Sequence, residues 1–189
     1  MVRQKGFDFG VRLLDGSLSR SGKRHAAIGY GMNAPCEAGT LKEGTSALLT
    51  QTLRNPRAGT YTITAHVCGG GSAADYREFL AQFRCRLVLF GYRDLSKDST
   101  KNRREFESVE FTPVWTDTPN DYKKVTLTRK LRSQDGGASE IEMGVGVAIL
   151  VEKKTPGAFT VAAGRRAFIR VDDVTCEFIP RPRNDDVTV

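Results

Sequence analysis

Few side chains in this chain are equipped for chemistry, and their spacing decides what they can do. Two histidines occur, His25 and His66. Neither stands at motif spacing from a nucleophile: there is no Gly-x-Ser-x-Gly elbow, no His-Glu-x-x-His helix and no phosphate loop. A hydrogen-bonded or solvated histidine is the simpler reading of each. Gly69-Gly70-Gly71 is a glycine run without the Lys-Ser/Thr that would cradle a phosphate. Glu107, Glu110, Glu140, Glu142, Asp172 and Asp173 have the right type for paired-carboxylate glycoside hydrolysis. Nothing in the sequence brings two of them to the needed separation. Cys36, Cys68, Cys85 and Cys176 include no Cys-x-x-Cys pair, so zinc-ribbon and thioredoxin-type chemistry have no support. Buried free thiols and two disulfides both stay open.

An aromatic and arginine set says more. Aromatic rings stack on the apolar C–H faces of sugars, while flanking polar groups take the hydroxyls. Arginines can clamp a carboxylate or sulfate. Strand alternation puts Tyr92 and Phe90 with Arg84 and Arg86, opposite Leu87 and Leu89. Trp115 is the sole tryptophan, and Tyr122 starts the following strand. The expected ligand surface is a sheet face carrying Trp115, Tyr92 and Arg86, with Arg84 and Tyr122 as further contacts. Core burial of Trp115 and plain solvation of the arginines are the competing readings.

These residues sit in a chain of 189 with 29 basic and 22 acidic side chains, a formal charge of +7. That balance suits a polyanion, including an acidic polysaccharide. The basic residues are scattered, however. The densest runs, Arg20 to Arg24 and Lys101 to Arg104, read as solvated loops rather than a nucleic-acid stripe. There is no apolar stretch of transmembrane length, and Met1 to Gly6 has no apolar region behind its basic residues. The expectation is a monomeric module within a larger exported parent chain, extracellular or periplasmic, with no nucleic-acid or membrane partner. Residues 1–180 form one domain in this reading, and 181–189 form a tail or linker.

The apolar period that must position these side chains is two. From Glu140 to Val151, Ile141, Met143, Val145, Val147, Ile149 and Val151 fall on one face, opposite Glu142, Gly144, Gly146, Ala148 and Leu150. Thr60–Val67, Phe83–Tyr92 and Lys123–Leu131 alternate likewise. Weaker strands are expected at Gly6–Phe9, His25–Tyr30, Ala47–Leu53, Glu107–Thr116 and Ala167–Phe178. One short helix is expected over Ala73–Gln82, capped by Ser72. Breaker clusters such as Asn55–Gly59 and Ser133–Gly137 separate the runs, and Ser96 to Arg104 reads as a charged loop. About nine strands of this kind predict an all-β, antiparallel, two-sheet jelly-roll sandwich.

Three segments in order carry a resemblance: Leu48-Leu49-Thr50-Gln51-Thr52-Leu53, then Ala58-Gly59-Thr60-Tyr61-Thr62-Ile63, then Ile169-Arg170-Val171-Asp172-Asp173-Val174. The series resembles the galactose-binding-like jelly roll of many carbohydrate-binding modules. There a strand with a Gln precedes a Gly-x-Tyr-x-Leu/Ile strand, and the domain closes on an Ile/Val-Asp-Asp-Val strand. The resemblance implies a non-catalytic carbohydrate-binding function that concentrates a parent protein on polysaccharide. It also implies a structural calcium held by Asp172 or Asp173, a first-strand acid and loop carbonyls, with Asp8 in the first-strand position. The chain departs from the pattern where Phe7-Asp8-Phe9 replaces an aromatic followed by Glu, and in a long insertion from Gly29 to Thr45. Asp172 and Asp173 capping loop amides without metal is the alternative. A structural or protein–protein interaction domain of the same fold, and a small polysaccharide-acting enzyme, are the other functions such a fold accommodates.

Overall fold

Side-chain alternation organises the structure, a computed structural model that describes residues 2–4, 7–16, 18–53, 56–92, 103–118, 121–132 and 144–181. In chain order its strands are β1 (Val2–Gln4), β2 (Phe7–Asp15), β3 (Arg24–Tyr30), β4 (Gly39–Leu41), β5 (Ser46–Leu53) and β6 (Gly59–Gly71). Helix α1 (Ala73–Gln82) follows. Then come β7 (Phe83–Tyr92), β8 (Arg103–Phe111), β9 (Lys123–Leu131), β10 (Gly144–Lys153), β11 (Phe159–Val161) and β12 (Ala167–Pro180). The helix and β9 have the bounds the sequence predicts. β2 runs on to Asp15, β8 ends at Phe111 and not Thr116, and β1, β4 and β11 are short pairings that the alternation does not reveal. Ile141, Met143 and most of the Ser96–Arg104 loop lie outside the described residues, as do residues 182–189 of the expected tail.

One sheet has the order β1-β2-β3-β12-β6-β9, the second β5-β10-β7-β8, and β11 pairs with β4 in a small third. The pairings between named strands are antiparallel. Among the eight long strands from β3 onward, β3 pairs with β12, β5 with β10, β6 with β9 and β7 with β8. First meets last, second meets second-last, and so inward: a long hairpin wrapped into two sheets, which is the jelly roll.

Inward faces make one core. Ile63, Ala65 and Val67 of β6 meet Cys85, Leu87 and Leu89 of β7 and Val145, Val147, Ile149 and Val151 of β10. Phe9 stacks on Phe83 with centroids 5.2 Å apart, and Phe79 of α1 stacks on Phe83 at 4.8 Å, so the helix plugs one end of the sandwich. Ser72 accepts the Asp75 amide at 3.1 Å and caps the helix. The glycine run is structural here. A Cβ on Gly69 would meet the Tyr76 ring at 2.3 Å, so the ring can lie on the strand only because the side chain is missing. All four cysteines are free thiols; burial pushes the Cys85 thiol up to about 12.

Candidate carbohydrate-binding groove

The outer face of the β5-β10-β7-β8 sheet carries a second apolar cluster, separate from the core. Val88, Phe90 and Tyr92 of β7 join Ala148 of β10, with Leu48 of β5 and Leu150 packed against them. Cross-strand register explains the grouping, because directly opposed residues point to the same face: Leu48 opposes Leu150, Ala148 opposes Val88 and Gly146 opposes Phe90. The central strand β10 supplies the small residues Gly146 and Ala148, followed by Leu150, between larger neighbours on β5 and β7. A trough of about 210 Å³ results, with Ala148, Val88 and Leu150 in its floor and Ser46, Arg103 and Glu105 at its margins. Gly146 also fixes Phe90. A Cβ there would meet that ring at 2.7 Å, so the ring leans across β10.

Polar side chains on this face are coupled to each other. Arg86 donates from Nη1 to both Glu105 oxygens, at 2.9 and 2.8 Å, and to Ser108 at 3.1 Å; its Nε donates to Glu152 at 2.9 Å. Arg84 donates to the same Glu152 oxygen at 2.8 Å. Burial works against the charge of Glu105, but the Ser108 hydroxyl and the Arg86 guanidinium outweigh it and hold the carboxyl below the usual range. The Phe90 and Tyr92 rings meet edge to face, centroids 4.8 Å apart, and the Arg103 guanidinium lies over both at 5.1 and 5.6 Å.

The structure divides the five side chains singled out as ligand contacts. Arg84, Arg86 and Tyr92 share the trough face. Tyr92 is only 6% exposed under Arg103, so it supports the trough and is not an open platform. Arg84 and Arg86 are engaged by Glu152 and Glu105 and are not free clamps. Trp115 lies elsewhere. Its segment leaves β8, pairs with Gly69, and lets the indole N–H donate to the Gly71 carbonyl at 3.1 Å while the ring packs on the core. Tyr122 sits against the other sheet, its hydroxyl donating to the Leu18 carbonyl at 2.8 Å. Leu48, Leu150, Ala148, Arg103 and Glu105 were not anticipated as a site. The small residues of β10 opposite Phe90 were the available signal.

The three acids assigned to calcium do not fit one ion. Asp8 is level with the residue after Tyr30, whereas Asp172 follows Val171, the partner of Ala26; the two stand roughly 20 Å apart along the strand direction. Asp172 accepts the Arg20 and Ser21 amides at 2.8 and 3.3 Å and the Asp173 amide at 2.8 Å. Asp173, in a left-handed bulge (φ 47°), accepts from the Arg20 guanidinium and the Ser21 hydroxyl. Every oxygen of this pair has a donor, and the pair staples Arg20 and Ser21 to the sheet. Near Asp8, Arg12 takes one carboxylate oxygen, and Arg166 donates to the Gly31 and Met32 carbonyls at 3.0 and 3.3 Å. Among the described residues, no group of three or more His, Cys, Asp or Glu is placed to hold a metal ion.

Both histidines lie on the β3-β12-β6 sheet, apart from the trough. His25 is buried with Nδ1 3.1 Å from the Ser19 hydroxyl, and burial, then Arg170, lowers its pKa. His66 opposes Asp172, whose oxygens the amides already occupy.

With the geometry in place, likeness to known proteins can be stated. No family model matches the chain, and no curated protein does. Among solved structures the chain is similar to jelly-roll carbohydrate-binding modules. One, of family 61, was solved with β-1,4-galactotriose: 16% identity, 89% of this chain and 82% of that chain, TM-score 0.46. A second is the family 11 module of Clostridium thermocellum with a β-1,3-1,4-mixed-linked tetrasaccharide: 10% identity, 93% and 84%, TM-score 0.43. A third, of family 4, shows 11% identity over 82% and 84%, TM-score 0.42.

Proposed function

We propose that this domain is a non-catalytic carbohydrate-binding module whose site is the trough on the outer face of the β5-β10-β7-β8 sheet. The observation that carries the reading is an apolar floor set among polar side chains fixed by one another. Half-buried Leu48 and Leu150 offer apolar surface to the C–H face of a sugar ring, with Val88, Phe90 and Ala148 buried beneath and beside them. Ser46, Glu105 and Arg103 stand at the edge, where hydroxyls would fall. Rigid polar groups lose little freedom on binding. The biological role is to hold a larger exported parent on a polysaccharide.

Glycoside hydrolysis is disfavoured by the same geometry. Glu105 and Glu152 are both bound by Arg86, and a general acid needs a carboxyl whose pKa is raised, whereas that of Glu105 is lowered. A protein-docking role has less support. Among the described residues, the exposed large apolar side chains, Leu13, Val114, Phe178 and Ile179, are spread over β2, the β8–β9 connection and the end of β12. The test is a glycan array probed with the folded domain. Selective hits sustain the reading, and a blank array from folded protein overturns it.

A further inference from the structure

The net charge of +7 suggests an acidic ligand, yet the trough face is electrically balanced. Its described charged residues are Arg84, Arg86 and Arg103 against Glu105, Glu110 and Glu152; Glu110 shares the face because it opposes Arg86. Depth separates the signs at the rim. The Arg86 side chain is 18% exposed, beneath a Glu105 side chain that is 44% exposed. Arg86 Nη1 and Nε donate to Glu105, Ser108 and Glu152, while Glu105, and not Arg86, lines the trough. Among the described residues, Glu105 Oε2 accepts a single hydrogen bond, from Arg86, which leaves a lone pair for an incoming O–H. Arg103 lies over the Phe90 and Tyr92 rings. An entering sugar hydroxyl meets an acceptor at Glu105, and an entering uronate or sulfate meets a like charge.

Resting on the groove reading above, we infer that the trough selects uncharged glycans and that Glu105 is the specificity-determining residue that turns anionic ones away. The carboxylate is fixed by two neighbours, so it cannot swing aside to relieve the repulsion. Exclusion of this kind works by a built-in repulsive element as much as by attraction. Among the described residues the positive excess lies off this face, where it can attract anionic polymers without selecting among them.

The experiment compares the full chain, Glu105→Gln, and a trough-filling Ala148→Phe variant, each shown to be folded by circular dichroism. Probes are β-1,4-galactan, xylan and mixed-linkage β-glucan on one side, and polygalacturonate, alginate and carrageenan on the other. Binding lost in Ala148→Phe is assigned to the trough; binding that persists is assigned to other surfaces. The expected result is trough binding to at least one neutral polymer, insensitive to salt, with none to the anionic set. Glu105→Gln should then gain about ten-fold toward anionic polymers, the size of one relieved like-charge contact. Trough binding by the native chain that favours anionic polymers overturns the inference and leaves glycan binding standing. Neutral binding with no anionic gain in Glu105→Gln overturns the role of Glu105. Loss of nothing in Ala148→Phe, or no binding at all, overturns the groove itself.

Discussion

At the scale of residues, Gly146 sets the depth of the site. It leaves the room in which Phe90 lies across β10. Gly146→Val should displace the ring and abolish glycan binding while near-native circular dichroism is kept; unchanged affinity would show that the ring position does not matter. Trp115 behaves differently. Its indole bonds Gly71 of β6 and packs on the core, not on the trough face. Trp115→Phe should lower the melting temperature yet leave affinity within about two-fold, and native fluorescence should not respond to ligand. A ligand-dependent emission change would place the site elsewhere. Sequence alternation assigned Tyr92, Arg84 and Arg86 to one outward face, which holds. What alternation cannot convey is that Glu105 and Glu152, from two other strands, saturate those arginines. Cross-strand pairing is a property of register, and register is absent from a single strand.

At the scale of elements, two junctions hold the periphery by acids. Asp172 and Asp173 staple Arg20 and Ser21 to the sheet. Asp172→Ala should cost about 1 kcal/mol of stability, the size of lost amide hydrogen bonds. Calcium or a chelator should leave the native melting temperature where it is; a clear rise with calcium would contradict the staple as described. Asp75 joins α1 to the segment before β12. Burial alone would raise its pKa, but the Arg166 amide, the Ser72 hydroxyl and Arg165 overcome this and hold it below the usual range. A carboxyl depressed on folding stabilises the fold above its unfolded pKa, and that stabilisation is lost as pH falls through the folded value. Melting temperature should therefore fall as pH drops below the ordinary carboxylate range, about 4, and less steeply in Asp75→Asn. Equal slopes would show that Asp75 is not the titrating latch. The helix and its Ser72 cap were legible because capping is local in sequence. The extent of β8 was not, because the Gly69–Trp115 pairing draws its last residues off the sheet.

At the scale of the whole molecule, period-two alternation over most of the chain and one short helix leave few folds besides an antiparallel sandwich. The nested pairing that makes it a jelly roll follows from burying both sheets against one core. Phe83, stacked between Phe9 and Phe79, joins both sheets and the helix. Phe83→Ala should cost about 3–5 kcal/mol, readable as a fall in the denaturant midpoint; a cost near zero would mean that the plug is not structural. The placement of a site on the outside of one sheet was only half visible. Its room comes from the small residues of β10, Gly146 and Ala148, which read in sequence as a thin strand face, while the larger side chains around them come from β5, β7 and Leu150.

The measurement that bears most directly on this account is a glycan array probed with the native domain and with Ala148→Phe in parallel. The account predicts selective hits for the native domain that vanish when the trough is filled, with the fold retained. Hits that survive in Ala148→Phe, or an empty array from folded native protein, would contradict it.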